Sequence, residues 1–246
     1  VPHWATGTAL ALLVGVIILG GLKRIAGFTE KIVPFMSVFY LIGCLVVIVV
    51  HGGRLPQVFE AVFHEAFQFK AAAGGGAGFA SAAVIQGISK GTFSNEAGLG
   101  SAPIIYAAAE EGDGIKQGMW GIFQVFADTI VGCTVTALCI LASGVLDSGL
   151  TGVALSTQAF SSVFGKMGGV FVAVSIVMFA FATLVSWSYY GEKSLEYLAG
   201  ERLIPIYRFL YAVCAALGCM LSRDSVWKAA DTFNGLMAIP NMIALA

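Results

Sequence analysis

Residues 74–110 read GGGAGFASAAVIQGISKGTFSNEAGLGSAPIIYAAAE. The stretch is long enough to cross a bilayer, yet it is interrupted at its centre. Lys90, Ser94, Asn95 and Glu96 sit there among Gly91, Gly98 and Gly100, and Pro103 follows. One ionisable residue at the bilayer centre costs roughly 2.5–3.5 kcal/mol on insertion scales. Glycine removes the side-chain barrier to non-helical backbone. Unwound backbone at membrane depth survives only where it lines a polar cavity or is buried in protein. An apolar span broken by glycine, with polar groups at the break, is the sequence pointer to a transporter binding site. The plainer alternative is a loop outside the membrane joining two short helices, but the apolar arms are long for ordinary loop neighbours.

Working outward, the whole 246-residue chain is of one kind. It is 58% hydrophobic and 11% charged, with a mean hydropathy of +0.89. Soluble domains carry about 25% charged residues, so the chain reads as an all-α polytopic membrane protein. The net charge of -1 offers nothing to a nucleic acid. Cys44, Cys133, Cys139, Cys214 and Cys219 lie in apolar runs without metal-ligand spacing and read as small core residues. No signal peptide is visible and Val1 stands first; the chain is expected to be an internal piece of a longer protein.

Apolar runs predict spans at about 5–22, 32–50, 119–142, 170–190, 203–221 and 226–246, besides the broken one. The charged stretch Lys23–Lys31 is expected to be a cytoplasmic loop by the positive-inside rule. Between the second span and the break, Phe59, Phe63 and Phe67 recur four apart, with Glu60, His64 and Glu65 on the other face. That pattern predicts an amphipathic helix lying on the outer interface. Asp128 within the fourth span is either an ion or proton site or a hydrogen bond to a neighbouring helix. Thr183 to Ser188 in the fifth span are either interhelical hydrogen bonds or, at Thr183, a cation ligand. Arg208 is expected to snorkel at the inner end of the sixth span. Asn241 and Pro240 in the last span read as a kink.

The run Lys90-Gly-Thr-Phe-Ser-Asn-Glu-Ala-Gly-Leu-Gly-Ser-Ala-Pro103 resembles the signature of the alanine or glycine:cation symporters, the sodium:alanine symporter family. Residues 21–36, GLKRIAGFTEKIVPFM, are similar to a second segment of that family. The resemblance implies part of a leucine-transporter-like fold of two inverted five-span repeats, each opened by a broken helix. On that map residues 1–50 hold the last two helices of the first repeat. Residues 51–73 are an outer amphipathic connection, and 74–246 are a truncated second repeat. The first three spans are then absent.

The resemblance further implies sodium-coupled symport of a small neutral amino acid, alanine or glycine, across the plasma membrane by alternating access. Proton coupling in the same fold is the alternative. It places Phe93, Ser94, Asn95, Glu96 and Leu99 around the substrate and has Trp187 bound its side-chain pocket, although a packing role for Trp187 stays open. The resemblance also implies that a half-helix starting near Asn95 presents free N–H groups, and that the end of the helix before the break offers carbonyls, which suit an amino group. Sodium is implied at the Ala180 carbonyl and the Thr183 hydroxyl, with no other cofactor. Glu96 either pairs with Lys90 or accepts from freed backbone N–H groups. An intramembrane enzyme is disfavoured, because Gly100-Ser101-Ala102 is no nucleophile elbow and no histidine lies within a span. A channel needs repeated rings of ligands, which the sequence does not offer.

Overall fold

The computed structural model describes residues 3–67, 87–109 and 112–246, and all their regular structure is helical. In chain order the helices are α1 (His3–Ile18), α2 (Gly21–Val50), α3 (Leu55–Phe67), α4 (87–95) and α5 (Ala102–Tyr106). There follow α6 (Gly114–Ser143), α7 (Val153–Phe164), α8 (Lys166–Ala199), α9 (Ile204–Gly218) and α10 (Arg223–Leu245).

Three of them, α2, α6 and α8, have the length and composition to cross a membrane, with window hydropathies of 2.7, 2.0 and 2.4. At 1.5 Å per residue a 30-residue helix is about 45 Å long, well beyond the hydrocarbon thickness. Large apolar side chains stay exposed along them, Ile122 at 73% and Val177 at 65%. Exposed apolar surface on this scale suits lipid and not water. The chain is an all-helical membrane protein.

Helix α2 departs from expectation. The charged stretch Lys23–Lys31 is no loop but the first part of one continuous helix that also contains Pro34. Lys, Arg and Glu are good helix formers, so charge marks the end of an apolar run without ending the helix. Likewise α8 continues nine residues past Tyr190 to Ala199, carrying Glu192 and Lys193 with it. Between α6 and α8 the chain is helical at Val153–Phe164 and buries Ala159 and Phe160. Helix α3 forms where the phenylalanine periodicity placed it, up to Phe67; residues 68–86 of the connection and of the broken span's first arm lie outside the described residues.

The chain divides into two units. The first comprises 1–37, 98–117 and 176–246. Here α1 lies along α9 through small residues. A Cβ on Gly7 would stand 2.8 Å from the Ala216 carbonyl oxygen, and one on Gly15 would touch Ala212. Close backbone approach replaces a hydrophobic driving force between helices in lipid. Ile25, Val185 and Tyr189 form the buried core of this unit, flanked by Ile17, Leu22, Ile104 and Ile105. Arg208 of α9 grips Glu192 of α8 with two bonds of 2.7 Å, Nε to Oε2 and Nη2 to Oε1. Glu192 is 6% exposed. Arg208 is therefore a bidentate partner across helices, not a snorkelling cation. Tyr207 and Tyr211 add hydroxyl bonds to the Ser188 and Leu184 carbonyls of α8, at 3.1 and 2.8 Å.

The second unit comprises 38–97 and 118–175. Its core is Cys44, Val47, Ile48, Cys139, Phe160 and Val172. Phe171 stacks on Phe39 at 4.5 Å and on Phe160 at 4.8 Å. Gly43 makes the room, since a Cβ there would collide with the Phe171 ring. Tyr40 of α2 meets Thr136 of α6 at 3.1 Å, and Cys44 and Cys139 are buried in the cluster against which Tyr40 packs. Arg54 donates to the Ser143 carbonyl at 3.2 Å, closing the C-terminus of α6 with a cation.

The turn from α7 into α8 is tight enough to test. A Cβ on Gly168 would stand 2.5 Å from the Ser161 nitrogen and 2.6 Å from the Phe160 carbonyl carbon, both backbone; one on Gly169 would meet only Thr157 at 3.7 Å. Gly168→Ala should cost about 2 kcal/mol by overpacking, whereas Gly169→Ala should be neutral or slightly stabilising, as expected for Gly to Ala within a helix. Thermal unfolding of the two purified variants checks the contrast; equal melting temperatures would remove the contact.

Candidate functional site

The break lies where the glycines put it. Helix α4 ends at Asn95, residues 96–101 are non-helical, and α5 starts at Ala102. The Glu96 amide closes the last turn of α4 on the Thr92 carbonyl at 3.0 Å, and Glu96 takes φ +58°. Left-handed backbone is the usual way to leave a helix but normally falls to glycine or asparagine. Asn95 helps the exit: its Oδ1 accepts from the Ala97 amide at 2.9 Å, an Asx turn that competes with the helical ladder. Gly98 and Gly100 then take φ +80° and +79°, conformations that a Cβ opposes.

The expected half-helix starting near Asn95 is corrected by this geometry. Asn95 is the last residue of α4, and the helix after the break is the five-residue α5. The groups that α4 presents at the break are carbonyls, because a helix leaves its last four without intrahelical partners. Leu99 is buried at 4% and Ser101 at 1%, while Phe93, Asn95 and Glu96 are half-buried and Ser94 is exposed. Residues 74–86 and Glu110 of the same stretch lie outside the described residues.

Phe93, Ser94, Asn95 and Glu96 belong to the second unit. There the structure joins Ser94 and Asn95 to two residues of α6. Ser94 Oγ donates to Asp128 Oδ2 at 2.7 Å, and Asn95 Nδ2 donates to Thr129 Oγ1 at 2.9 Å. Helix α6 is π-helical over Phe126–Cys133, around those two acceptors. π-Turns are rare and concentrate at functional sites. Of the two sequence readings of Asp128, the hydrogen bond to a neighbouring helix is present. Asp128 also stands at the midpoint of Gly114–Ser143, deeper than the span at 119–142 implied.

Leu99, Ala180, Thr183 and Trp187 belong to the first unit. The last three occupy one face of α8 at i, i+3 and i+7. Trp187 is half-buried and meets Tyr190 edge-on at 5.6 Å. Thr183 is exposed and makes no hydrogen bond among the described residues. On the same helix Ser175 and Ser188 back-bond to the Phe171 and Val185 carbonyls at 2.9 and 2.6 Å, whereas Ser186, like Thr183, makes no hydrogen bond among the described residues. Thr183 follows Ala180 by three residues in this continuous helix.

Two partners of the break escaped the sequence. Asn241, read as part of a kink, donates from Nδ2 to the Gly98 carbonyl at 3.0 Å, and α10 remains helical through Pro240. Thr129 was not singled out at all. The available signal for both was a polar residue inside an apolar helix, which does not say what it reaches.

The comparisons with known proteins agree in direction. The model of the sodium:alanine symporter family matches residues 1–246. The sodium/alanine symporter AgcS of Methanococcus maripaludis is 42% identical over 244 residues, covering 98% of this chain and 53% of that protein. The probable sodium/glutamine symporter GlnT of Bacillus subtilis is 41% identical over 241 residues, covering 97% of this chain and 50% of that protein. An uncharacterised transporter of Haemophilus influenzae is 40% identical, covering 100% and 54%. The chain thus spans about half the length of the curated relatives it matches.

The break invites a paired substitution. A Cβ at Gly98 meets open space, whereas one at Gly100 stands 3.0 Å from Asn241 Oδ1. Both alanine variants should lose about 1–2 kcal/mol for the left-handed backbone, and Gly100→Ala should lose measurably more. Thermal unfolding of the full-length protein in detergent reads the difference. Adding Asn241→Ala should recover the excess at Gly100; identical curves for Gly98→Ala and Gly100→Ala would show that Asn241 does not restrain the break.

Proposed function

Because the chain belongs to the sodium:alanine symporter family, we propose that the whole protein is a secondary active symporter, not an enzyme, carrying a small neutral amino acid, alanine or glycine, into the cell with sodium. The observation that carries this reading is the family match over residues 1–246, centred on a span whose break is rich in glycine and polar groups. The proposed location is the plasma membrane, and the proposed architecture is the leucine-transporter-like one. In it residues 1–50 close the first inverted repeat, 51–73 connect, and 74–246 form most of the second, within about seven spans.

In this reading the break is the substrate segment. Phe93, Ser94, Asn95, Glu96 and Leu99 are the proposed contacts, and the carbonyl end of α4 suits an ammonium group. The Ala180 carbonyl and Thr183 hydroxyl are the proposed sodium ligands. Trp187 is proposed to read the size of the substrate side chain; the relatives' names, one sodium/alanine and one probable sodium/glutamine symporter, suggest that size varies within the family. Sodium couples to transport by stabilising the same conformation as the substrate, a coupling free energy of typically 1–3 kcal/mol. Proton coupling is the second reading, favoured by one relative named a putative sodium/proton-dependent alanine carrier.

Uptake of labelled alanine by the full-length protein in proteoliposomes tests the reading. An inward sodium gradient should drive uptake, and potassium in its place should abolish it. Thr183→Ala should raise the half-saturating sodium concentration about tenfold, equivalent to 1.4 kcal/mol, while Thr183→Ser stays near wild type. Uptake indifferent to sodium would remove sodium as the coupling ion. Sodium-driven uptake of glutamine but not alanine would keep the mechanism and change the substrate.

A further inference from the structure

We infer that the groove between α3 and the C-terminal end of α6 binds the zwitterionic headgroup of a phospholipid, phosphatidylethanolamine. Arg54 takes the phosphate and Asp147 the ammonium. The inference needs a membrane around the chain but not the symporter reading.

The groove lies at headgroup depth. Helix α2 ends at Val50 and α6 at Ser143, and Arg54, just beyond α2, donates to the Ser143 carbonyl at 3.2 Å. The two spans therefore end at one level, and α3 starts there and packs on the last part of α6. Phe59 and Phe63 of α3 stay 47% and 61% exposed. An amphipathic helix with such a face lies in the interface between headgroups and acyl chains. At that level the structure leaves a cavity of about 370 Å³. Val58, Ala61 and Val62 of α3 line one side, and Leu141 and Leu146 the other. Small-molecule sites run to roughly 300–1,000 Å³, so this one takes a headgroup and the first part of the acyl chains. Val62 and Leu146 stay 45% and 56% exposed and carry the apolar surface out of the groove for the chains.

The same groove carries one charge of each sign, Arg54 and Asp147. Neither forms an ion pair among the described residues, unlike Glu192 with Arg208 and Lys193 with Glu196. Arg54 is fixed in place by the Nη1 bond to Ser143, and Gly144 makes room for it, since a Cβ there would stand 2.5 Å from that nitrogen. A guanidinium is a fork of N–H donors, and the rest of this fork is open to a phosphate, which arginine matches in two-point fashion. Asp147 makes no side-chain hydrogen bond among the described residues and keeps both carboxylate oxygens as acceptors.

That pattern selects among headgroups. Phosphatidylethanolamine brings a phosphate for Arg54 and a primary ammonium, with N–H donors, for Asp147. Phosphatidylcholine has the charges but no N–H to give. An anionic headgroup such as phosphatidylglycerol satisfies Arg54 but meets the like charges of Asp147 and of Glu60 and Glu65 on α3. Occupancy ties α3 to the end of α6 through the ligand.

The test follows the melting temperature of the full-length protein in detergent as dioleoyl phosphatidylethanolamine, phosphatidylcholine or phosphatidylglycerol is titrated into the micelles. Phosphatidylethanolamine should raise it at a concentration roughly tenfold below the other two. Asp147→Asn is the informative variant, because it keeps Arg54 and the bond to Ser143. It should need about tenfold more phosphatidylethanolamine, no less than phosphatidylcholine, and should respond to phosphatidylglycerol more readily than wild type does. Arg54→Gln should respond weakly to all three lipids; where loss of its bond to α6 prevents folding, Asp147→Asn decides. Glu60→Gln, on α3 but outside the groove, should need no more phosphatidylethanolamine than wild type. Equal responses of wild type to phosphatidylethanolamine and phosphatidylcholine overturn the site, as does a preference for phosphatidylglycerol. So does an Asp147→Asn protein with the wild-type preference. A loss in Glu60→Gln as large as that in Asp147→Asn would make the effect one of general surface charge and overturn the site too. The same rise with water-soluble phosphoethanolamine and no lipid overturns the lipid assignment, since the occupant would then be a soluble zwitterion.

Discussion

Unpaired backbone amides and carbonyls each cost several kcal/mol in hydrocarbon, and residues 96–101 leave the helical ladder in the middle of the chain. Much around them answers that constraint. The Thr92 carbonyl is taken by the Glu96 amide, the Ala97 amide by the Asn95 side chain, and the Gly98 carbonyl by Asn241. Two of these bonds are local, and the third brings a side chain from 143 residues further along the chain. The left-handed Glu96 shows the strength of the hold, because a non-glycine residue there persists only when its surroundings over-determine it.

The two units meet the absence of a hydrophobic driving force in lipid differently. The first relies on glycine approach between α1 and α9 and on hydroxyl and guanidinium bonds to α8. The second packs aromatic rings, with Phe160, Phe164 and Phe171 stacked together. Serine and threonine hydroxyls elsewhere mostly return to their own helix, as Thr29, Thr136, Ser162 and Thr232 do. Against that habit, the Ser94 hydroxyl bonds sideways to Asp128 and the Thr183 hydroxyl makes no hydrogen bond among the described residues.

What the sequence shows well is what local physics decides. Glycine and polar residues in an apolar run pointed to the break, although α4 runs through Lys90, Gly91 and Ser94 to Asn95 before it, and phenylalanine spacing located α3. Helix ends read less well, because hydropathy stops at Leu22 and Tyr190 while Lys23, Arg24 and Glu192 carry on as good helix formers. Least legible were partners distant in sequence. Ser94 and Asp128 are 34 residues apart, and Asn241 and Gly98 are 143 apart. Each looked like a lone polar residue with several uses, and only tertiary packing chose among them. The π-helical stretch left no mark, since nothing in FADTIVGC breaks an α-helical pattern.

That wide turn has a consequence for the register of α6. Asp128 and Thr129 lie within it and Thr136 and Cys139 beyond it, and both sets make contacts set by rotation about the axis. An α-helix turns about 100° per residue. Losing a single residue from Phe126–Cys133 would swing the parts of the helix on either side by that angle, setting the bonds to Ser94 and Asn95 against the bond to Tyr40. Point substitutions there change a side chain; a one-residue deletion would change which face the rest of the helix shows.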